Sequence, residues 1–479
     1  MERYDILREP ELHLKGEQKK VYCLPSNGPV LVKGSAGSGK TLVAIARARY
    51  LRNLAQQDMF TANLRIAFFT YDKSLRDEIA TYFNDSSIYV NNIDSWVARF
   101  LSKRYGRRLQ EPLTDYQVRR ECIRAAKSRT FANVPLRAIS GKGNDFYFDE
   151  IEWIKSRLIE SESEYVEMPR TGRGTADRVT KEDRHFLWNL KEAFDAELKK
   201  RNLSLFADRI SLAIKEIERH PLDESESFTH VIVDEAQDFT LAQLRLISLI
   251  AKGETLTSKS ISLFADVAQT IYESGFSWKD ANITVAGSRS YIFNRNYRNT
   301  RQIAEAAASL LSHEEDKDEI VDMAIPEREG TKPVLIIGAA KEVARELSRL
   351  LESVPIKETC AFGVCTNAEK KELVSALGKR FFATDSRTTT LSEQDGRRVI
   401  HVRTMQKMKG LQFDNVILWN MTEGHFPSQW DSDKDLSKLR KLLYVAMTRA
   451  CKKLVICVFG KPSALVNEIS STLLEVRNV

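Results

Sequence analysis

A chain of 479 residues is too long for one compact core and predicts two or three domains of roughly 150 residues each. Hydrophobic residues make up 42% of it and charged residues 29%, which is typical of globular proteins and excludes long disordered tracts. The formal net charge of +7 permits a polyanionic partner but is equally ordinary for a solvated enzyme surface.

The sequence also argues against a membrane protein and against a cysteine-based metal or redox protein. It has no run of about 18 uncharged apolar residues, so we expect no membrane span and a cytoplasmic location. The six cysteines lack the two-residue spacings of common zinc and redox motifs. They are predicted to be reduced thiols in the core.

The first clear pattern is a strand, a glycine-rich loop and a helix. The apolar run 29–33 predicts a buried strand, residues 34–41 read G-S-A-G-S-G-K-T, and residues 42–54 have helical periodicity. Further apolar runs predict parallel strands at 64–70, 229–233, 260–264, 334–337, 359–365, 399–403, 415–420 and 453–459. Their alternation with helical patterns predicts two doubly wound α/β domains, one before and one after about residue 295.

The segment 95–220 interrupts this alternation. It is highly charged and helical in period, and it contains Trp96, Trp153 and Trp188. We interpret it as an inserted helical subdomain, within which the polar stretch 162–181 is predicted to be a flexible loop.

The glycine-rich loop matches the pattern G-x-x-x-x-G-K-[S/T], which binds nucleotide phosphates. Its backbone N–H groups would surround the phosphates, Lys40 would contact the β- and γ-phosphates, and the Thr41 hydroxyl would bind Mg²⁺. The residues assigned to the nucleotide are Gly34, Ser35, Ala36, Gly37, Ser38, Gly39, Lys40 and Thr41. A chance glycine loop is the alternative, against which the flanking strand and helix argue.

Two adjacent carboxylates, Asp234 and Glu235, directly follow the apolar run 229–233. Charged groups at the end of a buried strand need a cation or water as partner. Asp234 is predicted to bind Mg²⁺, and Glu235 to activate the water that attacks the γ-phosphate. An acidic helix N-cap is the alternative interpretation.

Further short motifs follow one another along the chain. They are L-K-G-E-Q at 14–18, F-T-Y-D-K-S-L at 69–75, N-I-D-S-W at 92–96, L-F-A-D-V-A-Q at 263–269, N-Y-R-N at 296–299, the stretch 402–414, and L-Y-V-A-M-T-R-A at 443–450. In this order they resemble the motifs of the UvrD/Rep helicases of superfamily one. The resemblance extends from Leu14 to Cys457.

The resemblance implies roles around ATP for single residues in these motifs. Gln18 would contact adenine, on which Tyr297 would stack. Gln269 and Arg298 would sense the γ-phosphate, and Arg449 would be an arginine finger. Gly410, in the stretch 402–414, is also assigned to the nucleotide.

It also implies a set of contacts to single-stranded DNA. The assigned residues are Thr70, Lys73, Ser95, Trp96, Phe276, Trp278 and Thr404. Polar and basic side chains in this set would contact phosphates, and the rings of Phe276 and Trp278 would stack on bases. The alternatives are ordinary loop positions for Thr70, Lys73 and Ser95, and core packing for Phe276 and Trp278.

The resemblance implies two RecA-like P-loop NTPase domains, the first at 1–94 and 221–294 and the second at 295–479, with a helical insertion at 95–220. It implies an ATP hydrolase that uses Mg²⁺ to move 3′–5′ as a single-stranded DNA translocase or helicase. The alternative is a DNA-stimulated ATPase subunit of a nuclease-containing antiphage complex of the Gabija type. A third hypothesis, a scaffold that binds nucleotide without turnover, conflicts with the intact Lys40, Asp234, Glu235 and Arg449.

The sequence departs from the family pattern at several positions. Leu42 stands where relatives often have arginine, Ala265 replaces a usual glycine, Gln406 a usual histidine and Gln412 a usual glutamate. The chain between 299 and 402 is also too short for a second large helical insertion. We therefore expect ATPase activity but altered stepping along DNA. If the chain is instead an ATPase subunit of a larger complex, we expect a nuclease or another protein subunit as its partner.

Overall fold

The computed structural model describes residues 11–34, 37–57, 64–71, 73–83, 87–131, 138–170, 179–266, 276–312, 326–377, 381–384, 392–394, 397–427 and 436–479. The chain divides into two compact units. The first comprises Met1–Val32, Val43–Arg76 and Phe83–Tyr291, and the second Lys33–Leu42, Asp77–Tyr82 and Ile292–Val479.

Most elements up to residue 293 belong to the first unit. The helices are α1 Gln18–Val21, α2 Lys40–Gln57, α3 Lys73–Ala80, α4 Ile93–Tyr105, α5 Tyr116–Phe131, α6 Asn144–Ser156, α7 Glu162–Glu167, α8 Lys181–Lys200, α9 Phe206–Arg219 and α10 Leu241–Ile250. The strands are β1 Val30–Gly34, β2 Ile66–Phe69, β3 Ile88–Asn91, β4 Glu111–Pro112, β5 Leu203–Ser204, β6 His230–Val233, β7 Ser260–Asp266 and β8 Ser290–Phe293.

Six of these strands form one sheet in the order β3-β2-β6-β7-β1-β8. The strands β2 and β6 are parallel and in register, with Phe69 opposite Val233, so Thr70 and Asp234 follow at the same end of the sheet. The side chains of β2 and β7 are buried throughout, as expected for strands covered on both faces.

The helical insertion has a hydrophobic core of its own, which runs from Leu113 to Leu205. Helices α4 and α9 contribute instead to the core of the sheet, because their apolar faces pack with its strands. The predicted loop at 162–181 is wrong in part, since α7 lies within it. The Ser161 hydroxyl caps this helix, and buried Tyr165 anchors it to Glu150.

The second unit contains the remaining elements. The helices are α11 Arg301–Leu311, α12 Ala340–Ser353, α13 Asn367–Leu377, α14 Leu436–Met447 and α15 Ala464–Asn467. The strands are β9 Val334–Gly338, β10 Cys360–Val364, β11 Phe382–Thr384, β12 Glu393–Gln394, β13 Arg397–Thr404, β14 Phe413–Leu418, β15 Ala450–Phe459 and β16 Glu475–Asn478. They form a sheet in the order β11-β13-β10-β14-β15-β9-β16, with β12 paired antiparallel to β13.

The predicted fold class is confirmed, since each predicted strand is present and parallel pairs build both sheets. The sequence missed the edge strands β3, β8, β11 and β16. Each has three or four residues. Side chains along β3, β8 and β16 are mostly half-buried or exposed, so these strands lack the apolar run that reveals a central strand.

Candidate nucleotide-binding and catalytic site

The glycine-rich loop between β1 and α2 requires glycine by conformation and by close approach. Gly37 and Gly39 have φ of +87° and +83°. A Cβ on Gly37 would lie 2.3 Å from Asn296 Oδ1 and 2.9 Å from Arg298 Cβ. The Gly37 carbonyl also accepts the Tyr297 N–H at 2.9 Å. The motif at 296–299 therefore packs directly on the loop.

Lys40 begins α2 with its ammonium already directed at the loop. Its side chain is buried, and Nζ donates to the Gly34 carbonyl at 2.7 Å. A phosphate would offer stronger, charge-assisted acceptors to the same ammonium. Thr41 follows on the same helix, whereas Ser35 and Ala36 lie outside the described residues.

Arg298 is a half-buried cation beside the loop. Its Nε and Nη1 atoms are inaccessible to solvent, and neither has a hydrogen-bond partner among the residues that the structure describes. Burying such donors without an acceptor is unfavourable. A phosphate at the loop would supply the missing acceptors, so the residues present fit a bound nucleotide.

Asn296 and Asn299 hold this arginine segment in place. Asn296 Oδ1 accepts the N–H groups of Arg298 and Asn299 at 2.9 and 3.2 Å. Asn299 is fully buried, and its Nδ2 donates to the carbonyls of Thr448 and Ala450 at 3.0 and 2.6 Å. These two carbonyls flank Arg449 in the chain, so Asn299 links the segments that carry the two predicted phosphate-binding arginines.

Arg449 itself is buried within the second unit. Its Nε donates to the Val445 carbonyl at 3.0 Å and its Nη1 to the Leu411 carbonyl at 3.5 Å. Leu411 follows Gly410, which has φ of +80°. The structure thus places Arg449 and Gly410 together.

The carboxylates at the end of β6 are held by a glutamine that the sequence did not single out. Asp234 is fully buried and its N–H donates to the Phe69 carbonyl at 2.9 Å. Glu235 adopts a left-handed conformation, with φ of +51°. Gln237 donates to Glu235 Oε2 at 2.6 Å and accepts the Asp266 N–H at 2.9 Å. Gln237 therefore connects Glu235 to the end of β7.

Carboxylate and hydroxyl oxygens are the ligands that Mg²⁺ prefers. Asp234 and Thr41 carry one of each. The donor chemistry therefore fits the ion. Gln269, the predicted γ-phosphate sensor, lies outside the described residues.

Arg47 on α2 bonds to the segment that follows Gln18 and α1. Gln18 is buried and its Oε1 accepts the Lys15 N–H at 2.8 Å. Arg47, fully buried on α2, donates to Ser262 Oγ at 2.7 Å and to the Leu24 carbonyl at 2.9 Å. Burial lowers the pKa of Arg47 to about 10, and nearby Arg289 contributes to the decrease. Arg47 thus fixes the segment after α1.

The predicted DNA contacts divide by exposure. Trp96 is only 6% exposed and stacks on Phe100 at 5.0 Å, so the predicted contact of Trp96 with DNA is corrected to core packing. Thr70 and Thr404 are also buried. Ser95 is half-buried in the first turn of α4, where its N–H donates to Asn92.

Phe276 and Trp278 are half-buried and pack against the core of the first sheet. Arg157 lies over the Phe276 ring at 6.0 Å. Each ring therefore keeps a partly accessible surface. Lys73 begins α3, and its side chain lies outside the described residues.

Within the described part of the chain, no helix is long and apolar enough to cross a bilayer. A search of curated proteins finds similarity to an ATP-dependent DNA helicase PcrA from Leuconostoc citreum, 26% identical over 316 residues. That match covers 61% of this chain but 38% of the relative. A protein named Probable DNA helicase from Mycoplasma pneumoniae is 24% identical over 470 residues, which is 91% of this chain and 82% of that protein.

Among solved structures, the chain is similar to the C-terminal domain of a possible DNA helicase from a Lactobacillus. The two are 25% identical, with a TM-score of 0.29, and the match covers 38% of this chain and 98% of the other. That TM-score is too low to support a structural argument.

Two family models match the chain. The model for the UvrD/REP helicase N-terminal domain matches residues 14–290, and that for the UvrD-like helicase C-terminal domain matches residues 366–461. The first alone covers more than half of the sequence. The chain belongs to the UvrD/REP helicase family.

Proposed function

We propose that this chain hydrolyses ATP with Mg²⁺ to move 3′–5′ along single-stranded DNA as a translocase or helicase. The observation that carries the proposal is Arg298, whose inaccessible Nε and Nη1 lack hydrogen-bond partners among the described residues. Its Cβ would lie 2.9 Å from a Cβ on Gly37 of the glycine-rich loop, so Arg298 stands beside that loop. A nucleotide phosphate is the anion that this loop and this cation bind together.

In this proposal Lys40 and Arg298 bind the β- and γ-phosphates, and Asp234 and Thr41 hold Mg²⁺, which would supply charge neutralisation at the phosphates. Glu235 accepts the proton of the attacking water, with Gln237 fixing its carboxylate. Two further roles come from the family resemblance, the γ-phosphate contact of Gln269 and the finger role of Arg449.

The DNA contacts are proposed for Lys73, Ser95, Phe276 and Trp278, with Thr70 and Thr404 at the ends of β2 and β13. Stacking of a base on an aromatic ring contributes about 1–3 kcal/mol and tolerates any sequence. The half-buried Phe276 and Trp278 supply the rings of this set. The family relatives named as DNA helicases support DNA as the polymer.

The test is steady-state ATP hydrolysis with and without single-stranded DNA, combined with strand displacement on duplexes that carry a 3′ or a 5′ tail. We expect stimulation by DNA and displacement only from the 3′ tail. Lys40→Ala should remove nucleotide binding, and Glu235→Gln should retain it while losing turnover.

Stimulation without displacement would favour the alternative, an ATPase subunit that needs a partner such as a nuclease. Absence of ATP hydrolysis in the presence of DNA would overturn the proposal. Equal turnover in Glu235→Gln would overturn the role given to Glu235.

A further inference from the structure

Three side chains with metal-binding atoms lie close together in the second unit. All three are distant in sequence from the glycine-rich loop. Cys365 directly follows β10, Glu369 lies in the first turn of α13, and His425 lies in the segment after β14. One thiol sulfur, one carboxylate oxygen and one imidazole nitrogen from these residues all lie within 4.8 Å of one another. The family roles described above use none of the three.

The surrounding structure holds this group in place. Glu369 Oε2 accepts the Cys365 N–H at 3.0 Å, and the Glu369 N–H donates to Thr366 Oγ1 at 3.1 Å. The His425 N–H donates to the Thr422 carbonyl at 3.0 Å. The backbone N–H of each of the three residues is therefore hydrogen-bonded, which restrains the main chain at the group.

We propose that Cys365, Glu369 and His425 form a binding site for Zn²⁺. Thiolate, imidazole and carboxylate are the three ligand types that zinc takes in proteins. His425 Nε2 and Glu369 Oε1 are 3.1 Å apart. Two such ligands on one tetrahedral ion, each bound at about 2.0–2.1 Å, would be roughly 3.3 Å apart.

The Glu369 side chain is 11% exposed and that of His425 is 35% exposed. The open side at the imidazole leaves room for water as the fourth ligand, as in zinc sites with three protein ligands. On binding, the Cys365 thiol releases its proton to solvent, while the neutral imidazole and the carboxylate bind without losing one. The ion would join β10 and α13 to the segment that contains His425.

The experiment uses the full chain, stripped of metal with a chelator and titrated with Co²⁺ as a spectroscopic substitute for Zn²⁺. We expect one Co²⁺ per chain with a thiolate-to-cobalt charge-transfer band, which Zn²⁺ abolishes by displacement. Cys365→Ser should lose the band, and His425→Ala should weaken metal binding by at least about 100-fold. Loss of a residue that only hydrogen-bonds to a metal ligand weakens metal binding by up to about 100-fold, so a larger effect indicates a direct ligand. The matched control is Cys23→Ser, which changes an exposed cysteine and should retain the band.

A second measurement avoids dependence on variant folding. Zn²⁺ should protect Cys365 of the unaltered chain from alkylation, read by mass spectrometry, while Cys23 stays reactive. Mg²⁺ or Co²⁺ bound at Asp234 would give no thiolate band, so the two metal sites are distinguished. A band that survives in Cys365→Ser, or alkylation of Cys365 unaffected by Zn²⁺, would reduce the group to a Glu369–His425 hydrogen bond.

Discussion

Replacing Arg298 with methionine tests whether its guanidinium is present for a phosphate or for the fold. Methionine is unbranched and apolar, so it fills much of the same space without the two buried donors. We expect this change to leave the nucleotide-free protein as stable as before or more stable. We expect it also to weaken the binding of ATP and its hydrolysis.

The magnitudes follow from the hydrogen bonds gained and lost. A buried polar group without a partner costs roughly 1–3 kcal/mol, and Arg298→Met removes that unfavourable contribution from the nucleotide-free state. A hydrogen bond to a charged group stabilises by roughly 1.5–3 kcal/mol, which its loss would subtract from nucleotide binding. This range corresponds to about a 10- to 150-fold change in affinity.

The assay is thermal unfolding with and without a non-hydrolysable ATP analogue, together with DNA-stimulated ATPase rates. A change of 1 kcal/mol shifts Tm by roughly 2–4 °C in a domain of 150–250 residues, which such scans resolve. Arg295→Met is the matched control, because Arg295 is exposed and its ion pair with the exposed Glu327 has an N–O distance of 3.7 Å. The control should change neither Tm nor turnover.

The reasoning is refuted if Arg298→Met lowers the Tm of the nucleotide-free protein by several degrees and leaves analogue binding intact. Arg298 would then stabilise the second unit rather than bind phosphate. Arg298→Lys separates charge from geometry, since lysine keeps the charge and loses the planar fork of donors. We expect it to restore part of the binding but little of the turnover.

Three further predictions concern polar side chains that are buried or half-buried. In steady-state kinetics, Gln237→Leu should lower kcat about 10- to 100-fold and leave KM for ATP nearly unchanged. The reason is that Glu235 loses the hydrogen bond from Gln237 but remains a base. A change in KM alone would contradict this prediction. Asn299→Leu leaves two backbone carbonyls without their donor and should destabilise by roughly 1–3 kcal/mol in urea unfolding, and Asn299→Asp by more, because a carboxylate repels both carbonyls. Burial, with nearby Arg47, lowers the pKa of His230 to about 4, so its contribution to stability is present above the unfolded value near 6.5 and is lost as pH falls towards 4. Unfolding at a series of pH values should show a loss of up to roughly 3 kcal/mol across that window, and His230→Gln should flatten it.

Local patterns were enough to predict the sheets and the nucleotide loop. A buried parallel strand is a short apolar run, and the glycines of the loop are required by backbone conformation and by contact with Asn296. Both signals lie within a few consecutive residues. The sequence therefore predicted β1, β6 and the segments after them.

The supporting contacts could not be predicted in the same way. Gln237 bonds to a backbone group 29 residues away, and Asn299 to carbonyls about 150 residues away. No spacing in the sequence marks such a pair. Gln237 and Asn299 lie in the same motifs as Glu235 and Arg298, the charged residues to which the sequence analysis gave roles. The amide side chains of Gln237 and Asn299 are hydrogen-bonded so that they position these motifs.

Trp96 shows the opposite error. It occurs in a motif that resembles a DNA-contacting one, but α4 turns its ring into the core beside Phe100. The sequence alone does not distinguish a tryptophan on the apolar face of an amphipathic helix from a tryptophan that stacks on a base. Only packing distinguishes the two.

Arg449 shows how the second unit could respond to ATP under the proposed function. Its guanidinium now donates to the carbonyls of Val445 and Leu411, and its own carbonyl accepts the Phe413 N–H at 3.1 Å. A phosphate oxygen carries negative charge that a carbonyl oxygen lacks, so exchange of a carbonyl for a phosphate oxygen strengthens the bond from the guanidinium. That exchange would release the Leu411 carbonyl, which lies seven residues after Thr404, a proposed DNA contact. In that proposal, the segment 404–413 connects Leu411 and Phe413, which are bonded to Arg449, with Thr404, the position proposed to contact DNA.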